Sequence, residues 1–161
     1  MMKKLVIAVA ATLTLGATPA LAQTKPVLGP NGFGGLKLGM SLKQARATGR
    51  ITKKIDGGAD GCSGWDLKKY PTGKNSVGLY ISPKMGVAAF FAPKAAKTPE
   101  GVAIGTAKSQ LDKIYPRIKQ DTHGFWVTTV PGNKKAYYSF TVQHGKVTDY
   151  GIALKEQDCF N

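Results

Sequence analysis

Residues that could carry out catalysis are few and widely spaced in this chain of 161 residues. The two histidines, His123 and His144, each precede a glycine, and the nine acidic residues are scattered singly. The sequence therefore shows no obvious pair of carboxylates for general acid and base work. The run Gly-Cys-Ser-Gly at 61–64 lacks the Gly-x-Ser-x-Gly spacing of a hydrolase nucleophile. We predict that the protein is not an enzyme, and a cell-wall polymer hydrolase that uses His123 or His144 is the catalytic alternative.

The run DGGADGCSGWD, residues 56–66, is similar to the start of a calcium-binding loop. Asp56 and Asp60 fall on positions one and five of such a loop, but Gly58 replaces the ligand at position three. Leu67 stands at position twelve, where the loop needs a bidentate glutamate. We therefore predict no metal site, and no other motif indicates a cofactor.

The first 22 residues have the pattern of an export signal. Lys3 and Lys4 supply positive charge, residues 5–15 are an apolar run, and Ala20-Leu21-Ala22 is a small-residue cleavage site. The apolar run is shorter than the roughly 20 residues that a membrane-spanning helix needs. We predict cleavage after Ala22, a secreted protein of the extracellular space or cell envelope, and no transmembrane segment.

Cys62 and Cys159 are the two cysteines of the chain. In an oxidising compartment, an even number of cysteines indicates disulfide pairing, so we predict a Cys62–Cys159 bond. A metal site and a reactive thiol are the alternatives. Two thiols without a nearby pair of histidines make a poor zinc site, because structural zinc takes four ligands.

Positive charge dominates the composition, with 23 Lys and Arg against nine Asp and Glu and a formal net charge of +14. Lysine gives diffuse attraction to anionic surfaces, whereas arginine suits bidentate recognition of phosphates and base edges. Only Arg46, Arg50 and Arg117 are arginines. The composition is compatible with an anionic partner outside the cell, such as a wall polymer, lipid head groups or an acidic extracellular protein, and it argues against nucleic acid. A basic surface that only keeps the protein soluble is the plain alternative.

Two similar stretches predict short helices: GGLKLGMSLKQARATG at 34–49 and EGVAIGTAKSQLDKIYP at 100–116. In the first, Ser41 has a glutamine three residues later, which is the spacing of a capping box, and Gly49 supplies a left-handed stop. In the second, Thr106 is the expected cap, and a proline ends the helix.

Three segments with strand-like alternation follow each predicted helix. They are 62–67, 76–82 and 86–92 in the first half, and 124–130, 136–143 and 146–154 in the second. Gly145 can take a positive φ in a tight hairpin turn between the last two. We therefore predict an α+β fold of two tandem α-βββ repeats, with short helices packed on one face of the antiparallel sheet or sheets.

The predicted organisation places one domain after the signal peptide. The chain is divided into a cleaved signal peptide at 1–22, an irregular lead-in at 23–34 and a single domain at 35–161. The domain consists of two pseudo-repeats, at 35–97 and 101–161. A Cys62–Cys159 bond would tie the two repeats together, because the two cysteines belong to different halves.

Aromatic residues on the predicted strands alternate with other types, so half of them face away from the core. Tyr and Trp on an exposed sheet face are common anchors of protein recognition. We select Trp126, Tyr137 and Tyr80 as contact residues, with Lys134 and Lys135 beside them. Isolated, half-covered surface rings are the alternative, and such rings need no functional explanation.

The signal peptide, LGPNGFGGLKLGMSLKQARATG, TPEGVAIGTAKSQLDKIYP and the closing GIALKEQDCF together resemble a group of uncharacterised small secreted proteins of Gram-positive bacteria. The tandem helix-plus-sheet plan, with Gly-Met-Ser at 39–41, more remotely resembles the beta-lactamase inhibitory protein and outer-membrane assembly lipoproteins of similar shape. That resemblance implies a protein that binds other proteins and catalyses nothing. Gly105-Thr106-Ala107 does not repeat the triplet, and each inhibitor repeat has its own cysteine pair, so no contact residue carries over.

The sequence therefore favours a secreted, non-enzymatic binding module that recognises a protein or an anionic cell-envelope ligand through an aromatic and lysine-bearing sheet face. The alternatives are a passive basic protein held in the cell envelope by charge, and the cell-wall polymer hydrolase. The sequence does not indicate an oligomeric state.

Overall fold

The structure is a computed structural model that describes residues 25–57 and 61–160. The predicted signal peptide at 1–22 lies outside the described residues. The elements are, in order, β1 (Gly32–Phe33), β2 (Leu36–Lys37), α1 (Leu42–Ala47), β3 (Ile51–Ile55), β4 (Ser63–Leu67), β5 (Leu79–Ser82), β6 (Gly86–Phe91), α2 (Lys108–Ile114), β7 (Lys119–Gln120), β8 (Trp126–Val130), β9 (Asn133–Gln143) and β10 (Lys146–Leu154).

Eight of the strands form one large antiparallel sheet in the order β3-β4-β5-β6-β10-β9-β8-β7. The other two, β1 and β2, form a separate small antiparallel pair. The predicted α+β fold of two tandem α-βββ repeats is therefore wrong. The protein is mostly β, with a single large sheet and two short helices among the described residues.

The sequence prediction missed β3 and β7, the two edge strands of the large sheet. β3 has the sequence Ile-Thr-Lys-Lys-Ile, and β7 is the dipeptide Lys-Gln. Lysines interrupt the apolar alternation that identifies a strand. They suit an edge strand, however, because charged side chains there discourage pairing with another chain. Four strands therefore follow each helix instead of three, and all eight join one sheet.

The helix ends confirm one capping prediction and correct another. At α1, Ser41 Oγ accepts the N–H of Gln44 at 3.3 Å, and Ser41 N–H donates to Gln44 Oε1 at 2.9 Å, which is the predicted capping box. Gly49 follows with a φ of 67°. At α2, the N-cap is Ala107 and not Thr106, because the Thr106 hydroxyl accepts a hydrogen bond within the preceding turn.

One face of the large sheet carries the hydrophobic core, and we call it the core face. Both helices and the segment before α1 contribute side chains to this core. The strand residues that are almost wholly buried on this face include Leu79, Phe90, Tyr138, Phe140 and Ile152. Leu28 and Phe33, from the lead-in that we predicted to be irregular, belong to the same cluster. The Tyr138 hydroxyl donates to the Leu28 carbonyl at 3.1 Å, which fixes this segment over the sheet.

Cys62 and Cys159 form a disulfide bond, with their Cα atoms 5.5 Å apart. The predicted pairing is confirmed, and it joins residues separated by 97 positions in the sequence. Neither helix of the described ranges has the length and apolar character that crossing a membrane requires.

Candidate functional site

We call the opposite face of the large sheet the open face. Both helices pack on the core face, so the open face is formed by the strands and the C-terminal segment. Strand register places two rows of side chains across it. One row consists of Tyr80, Ala89, Ala153 and Tyr137, from β5, β6, β10 and β9. The other consists of Phe91, Gly151, Ser139 and Val127, from β6, β10, β9 and β8. Small residues therefore occupy the middle of both rows.

These small residues form the floor of a groove with a volume of about 340 Å³. The floor consists of Ala89, Ala153, Gly151 and Ser139. Phe91 stands on one side of the floor and Tyr137 on the other. A Cβ atom at Gly151 would lie 2.6 Å from the Phe90 carbonyl oxygen, so the approach of β6 to β10 requires glycine there. The volume suits a small organic ligand.

The C-terminal segment, residues 155–160, builds the Phe91 side of the groove. The Phe160 ring centroid lies 5.9 Å from that of Tyr80 and 6.1 Å from that of Phe91. The Gln157 side-chain oxygen accepts the N–H of Phe160 at 3.1 Å and so shapes the last turn. The disulfide anchors this segment to the start of β4. A wall of the groove is therefore fixed by a covalent bond.

The turn between β7 and β8, residues 121–125, builds the Tyr137 side of the groove. Asp121 Oδ1 accepts the N–H of His123 at 2.9 Å and the N–H of Phe125 at 2.8 Å. This carboxylate therefore holds the turn in place. Phe125 is 41% exposed, and both Phe125 and His123 line the groove.

The groove is acidic although the protein is basic. Asp121 and Asp149 line it, and no lysine or arginine of the described residues does so. Partial desolvation at the sheet surface raises the pKa of Asp149 above its ordinary value, although the residue is exposed to solvent. A hydrogen bond from the N–H of Tyr150 to Asp149 Oδ1, 2.8 Å long, partly opposes this rise in pKa.

Tyr137 presents a neutral hydroxyl at the edge of the groove. Burial raises its pKa, the nearby charge of Asp121 raises it further, and a hydrogen bond with Gln157 lowers it in part. The hydroxyl therefore stays protonated near neutral pH and can donate or accept a hydrogen bond.

The five contact residues predicted from the sequence do not share one surface, which corrects that grouping. Tyr80 and Tyr137 lie on the open face, three strand spacings or ~14 Å apart. Trp126 lies on the core face, because it pairs with Phe140. There the Lys108 ammonium of α2 lies 3.4 Å from the Trp126 ring centroid, a cation–π contact.

The two lysines of that set, Lys134 and Lys135, are exposed at the start of β9 and do not line the groove. The main chain of Lys135 is tied to the end of the sheet by two hydrogen bonds. Its N–H donates to Asn133 Oδ1 at 3.0 Å, and its carbonyl accepts the N–H of Lys155 at 2.9 Å.

A second set of basic side chains lies beside the groove, and we call it the basic depression. Arg117, Lys119 and Lys155 line it together with Asp121, Thr129 and Tyr137. Asp121 and Tyr137 therefore border both the acidic groove and this basic surface.

The remaining candidate residues have structural roles or lie outside the described ranges. His144 and Gly145 form the predicted hairpin turn, with φ values of 49° and 72°. Gly58 and Asp60 of the calcium-like run lie outside the described residues. Within the described ranges, Cys62, Asp158 and Cys159 are the only group of three potential metal ligands, and both sulfur atoms belong to the disulfide.

Sequence reasoning selected aromatic residues and overlooked the small ones that make the groove. The residue types of Ala153, Gly151 and Ser139 do not by themselves indicate a binding site. They form a groove floor only because their strands are neighbours in the sheet. Phe160 was also missed, because its contact with Tyr80 joins residues that are far apart in the sequence. A run of small residues at alternate strand positions, Gly151 and Ala153, was the available signal.

Comparisons with known proteins show a fold likeness alone. No protein-family model matches the chain, and no curated protein sequence matches it. Among solved structures, the chain is similar to the uncharacterized protein yfeY from Escherichia coli, with a TM-score of 0.53 and 16% sequence identity. The likeness covers 80% of this chain and 99% of that chain.

Proposed function

We propose that this protein is an exported, non-enzymatic binding protein that holds its ligand in the groove of the open face. The observation that carries this proposal is the groove itself, a concave space with a floor of small residues between Phe91 and Tyr137. A sheet that buried this face only for stability would fill the space with larger side chains, because protein interiors pack densely.

The way the walls are held supports a preformed site. The disulfide holds the segment that carries Phe160, and Asp121 holds the turn that carries Phe125. Walls that are fixed before binding lose little conformational entropy when a ligand enters. The groove therefore needs no rearrangement to accept a ligand of its own size.

Export to the extracellular space or cell envelope is part of the proposal. The signal-like residues 1–22 and the intramolecular disulfide support it, because disulfides persist in oxidising compartments. Cleavage after Ala22 would leave every described element in the mature protein.

A second candidate function is attachment to an anionic wall polymer or an acidic protein by charge. The basic depression supports it, because Arg117, Lys119 and Lys155 lie together on one surface. Binding of this kind weakens steeply as salt screens the charges. Ligand held in the groove through apolar contact keeps its affinity in salt, so ionic strength separates the two candidates.

A fragment screen followed by NMR tests the groove as the ligand site. Ser139→Leu places a branched side chain on the groove floor, whereas Thr129→Leu makes a comparable change on the same face outside the groove. We expect fragments that bind the wild type to shift amide signals of β6, β9 and β10. Ser139→Leu should abolish these shifts, and Thr129→Leu should retain them. Shifts that persist in Ser139→Leu would disprove the groove as the site.

A further inference from the structure

We propose that the groove binds an organic cation, a ligand with a positively charged amine or ammonium group on a small apolar body. This inference rests on the proposed function of the groove and adds the class of its ligand. Three observations carry it: the charge of the groove lining, the free oxygen atoms of two carboxylates, and the aromatic walls.

The charge of the lining is opposite to that of the protein. Lys and Arg make up 23 of the 161 residues, yet none of those described lines the groove. Asp121 and Asp149 do line it. A cleft with charge of one sign, surrounded by low-dielectric walls, concentrates ligands of the other sign. The groove therefore favours ligands with a positive charge.

Among the described residues, three aspartates form ion pairs, whereas the two groove carboxylates, like Glu100, Glu156 and Asp158, do not. Asp56, Asp66 and Asp112 each form an ion pair with a lysine. Asp121 and Asp149 form no ion pair within the described residues, although the chain is rich in lysine. Each uses Oδ1 to accept backbone N–H groups, and no hydrogen bond among the described residues uses either Oδ2. Each carboxylate therefore has an oxygen available to a ligand.

The walls supply the second element of cation recognition. Phe91, Phe125, Tyr137 and Phe160 line the same groove as the carboxylates. The faces of aromatic rings attract cations, and quaternary ammonium groups are recognised in this way. The core face shows the same combination within this chain, where Lys108 contacts both the Trp126 ring and the Asp112 carboxylate, at 2.5 Å in the latter case.

The experiment is an NMR titration of the purified protein near neutral pH with three probes of similar size. Benzyltrimethylammonium is the cation, benzyl alcohol the neutral probe, and benzenesulfonate the anion. We expect the cation to bind in the groove about 10-fold more tightly than benzyl alcohol, because aromatic faces and carboxylates attract a cation and not a neutral alcohol. A 10-fold preference corresponds to about 1.4 kcal/mol. Benzenesulfonate should bind more weakly than either in the groove.

Matched variants assign the preference to the carboxylates. Asp149→Asn and Asp121→Asn remove one charge each and keep the side-chain oxygen that accepts backbone N–H groups. Each should weaken cation binding several-fold and leave benzyl alcohol unchanged. Asp112→Asn on α2 makes the same change of net charge away from the open face, and it should leave cation binding unchanged.

The outcomes separate this inference from the proposed function. If none of the probes shifts groove amide signals, and the fragment screen also finds no groove ligand, the binding function itself is wrong. If benzyl alcohol or benzenesulfonate binds in the groove as tightly as the cation, the binding function stands and the organic-cation inference is overturned. Equal weakening by Asp112→Asn would also overturn it, because net charge alone would then explain the preference.

Discussion

Removal of the disulfide should destabilise the protein and open the groove at the same time. The double substitution Cys62→Ala and Cys159→Ala cuts the covalent link between residues 97 positions apart. In the chain-entropy model, a closed loop of this size stabilises the folded state by about 5 kcal/mol. Phe160 would then be held to the sheet by its two aromatic contacts, each of which contributes about 1 kcal/mol, so residues 158–160 should detach readily. The Lys155 N–H would still donate to the Lys135 carbonyl.

Urea denaturation, followed by tryptophan fluorescence, measures the first effect. Trp65 is 5% exposed in the core and reports global unfolding. With a slope of about 2 kcal/mol per molar urea, the midpoint should fall by about 2–3 M. A reducing agent should produce the same change in the wild type and none in the double variant, which makes the variant its own control.

An NMR titration with benzyltrimethylammonium measures the second effect, the opening of the groove. The double variant should bind benzyltrimethylammonium more weakly under conditions where its core remains folded, because the Phe160 wall is no longer fixed. A midpoint shift that corresponds to less than about 1 kcal/mol would refute the stabilising role of the loop. Unchanged probe affinity in the folded variant would refute the claim that the tail forms a wall of the site.

Three further substitutions test local features of the fold. Asp66→Asn should cost about 3 kcal/mol at neutral pH, because it removes the charge of a buried carboxylate 3.2 Å from the Lys54 ammonium. Burial tends to raise the pKa of Asp66, but its hydrogen bonds and Lys54 lower the pKa overall. The loss of stability caused by Asp66→Asn should therefore shrink as the pH falls below about 4, where the wild-type carboxylate also becomes protonated. Urea denaturation at several pH values checks this, and a loss of stability that does not depend on pH would contradict it. Tyr150→Phe should stabilise the protein by about 1 kcal/mol in thermal denaturation, because this buried hydroxyl has no hydrogen-bond partner within the described residues, and a clear loss of stability would argue against that. Gly86→Ala should cost about 2 kcal/mol or more by urea denaturation, because φ is 71° and the new Cβ would lie 2.6 Å from a main-chain oxygen, whereas Gly73→Ala, with open space around it, should cost far less. Equal losses at the two glycines would contradict the steric explanation.

Local signals in the sequence were sufficient for several elements. The capping box of α1 and the hairpin turn at Gly145 depend on residues that are neighbours in the chain, so their pattern predicts them directly. The disulfide was predictable because only one pairing of two cysteines exists. These features need no knowledge of which strands pair.

The sheet and the groove were not predictable because they depend on strand order. β3 carries two lysines and gives no clear strand signal until it is placed at an edge of the sheet. Trp126 and Tyr137 both stand at alternating positions, and only the pairing of β8 with β9 shows that they point to opposite faces. Ser139 gains its role from Gly151 on the neighbouring strand, which lies 12 residues away in the chain (151 − 139 = 12).

The central claim is that the groove of the open face is a preformed ligand site, and a crystal structure of the protein with benzyltrimethylammonium tests it most directly. The account predicts the probe over Ser139 and Gly151, with its ammonium group beside Asp149 and its ring between Phe91 and Tyr137. A probe bound only elsewhere, or a groove filled by the protein's own side chains, would contradict the claim.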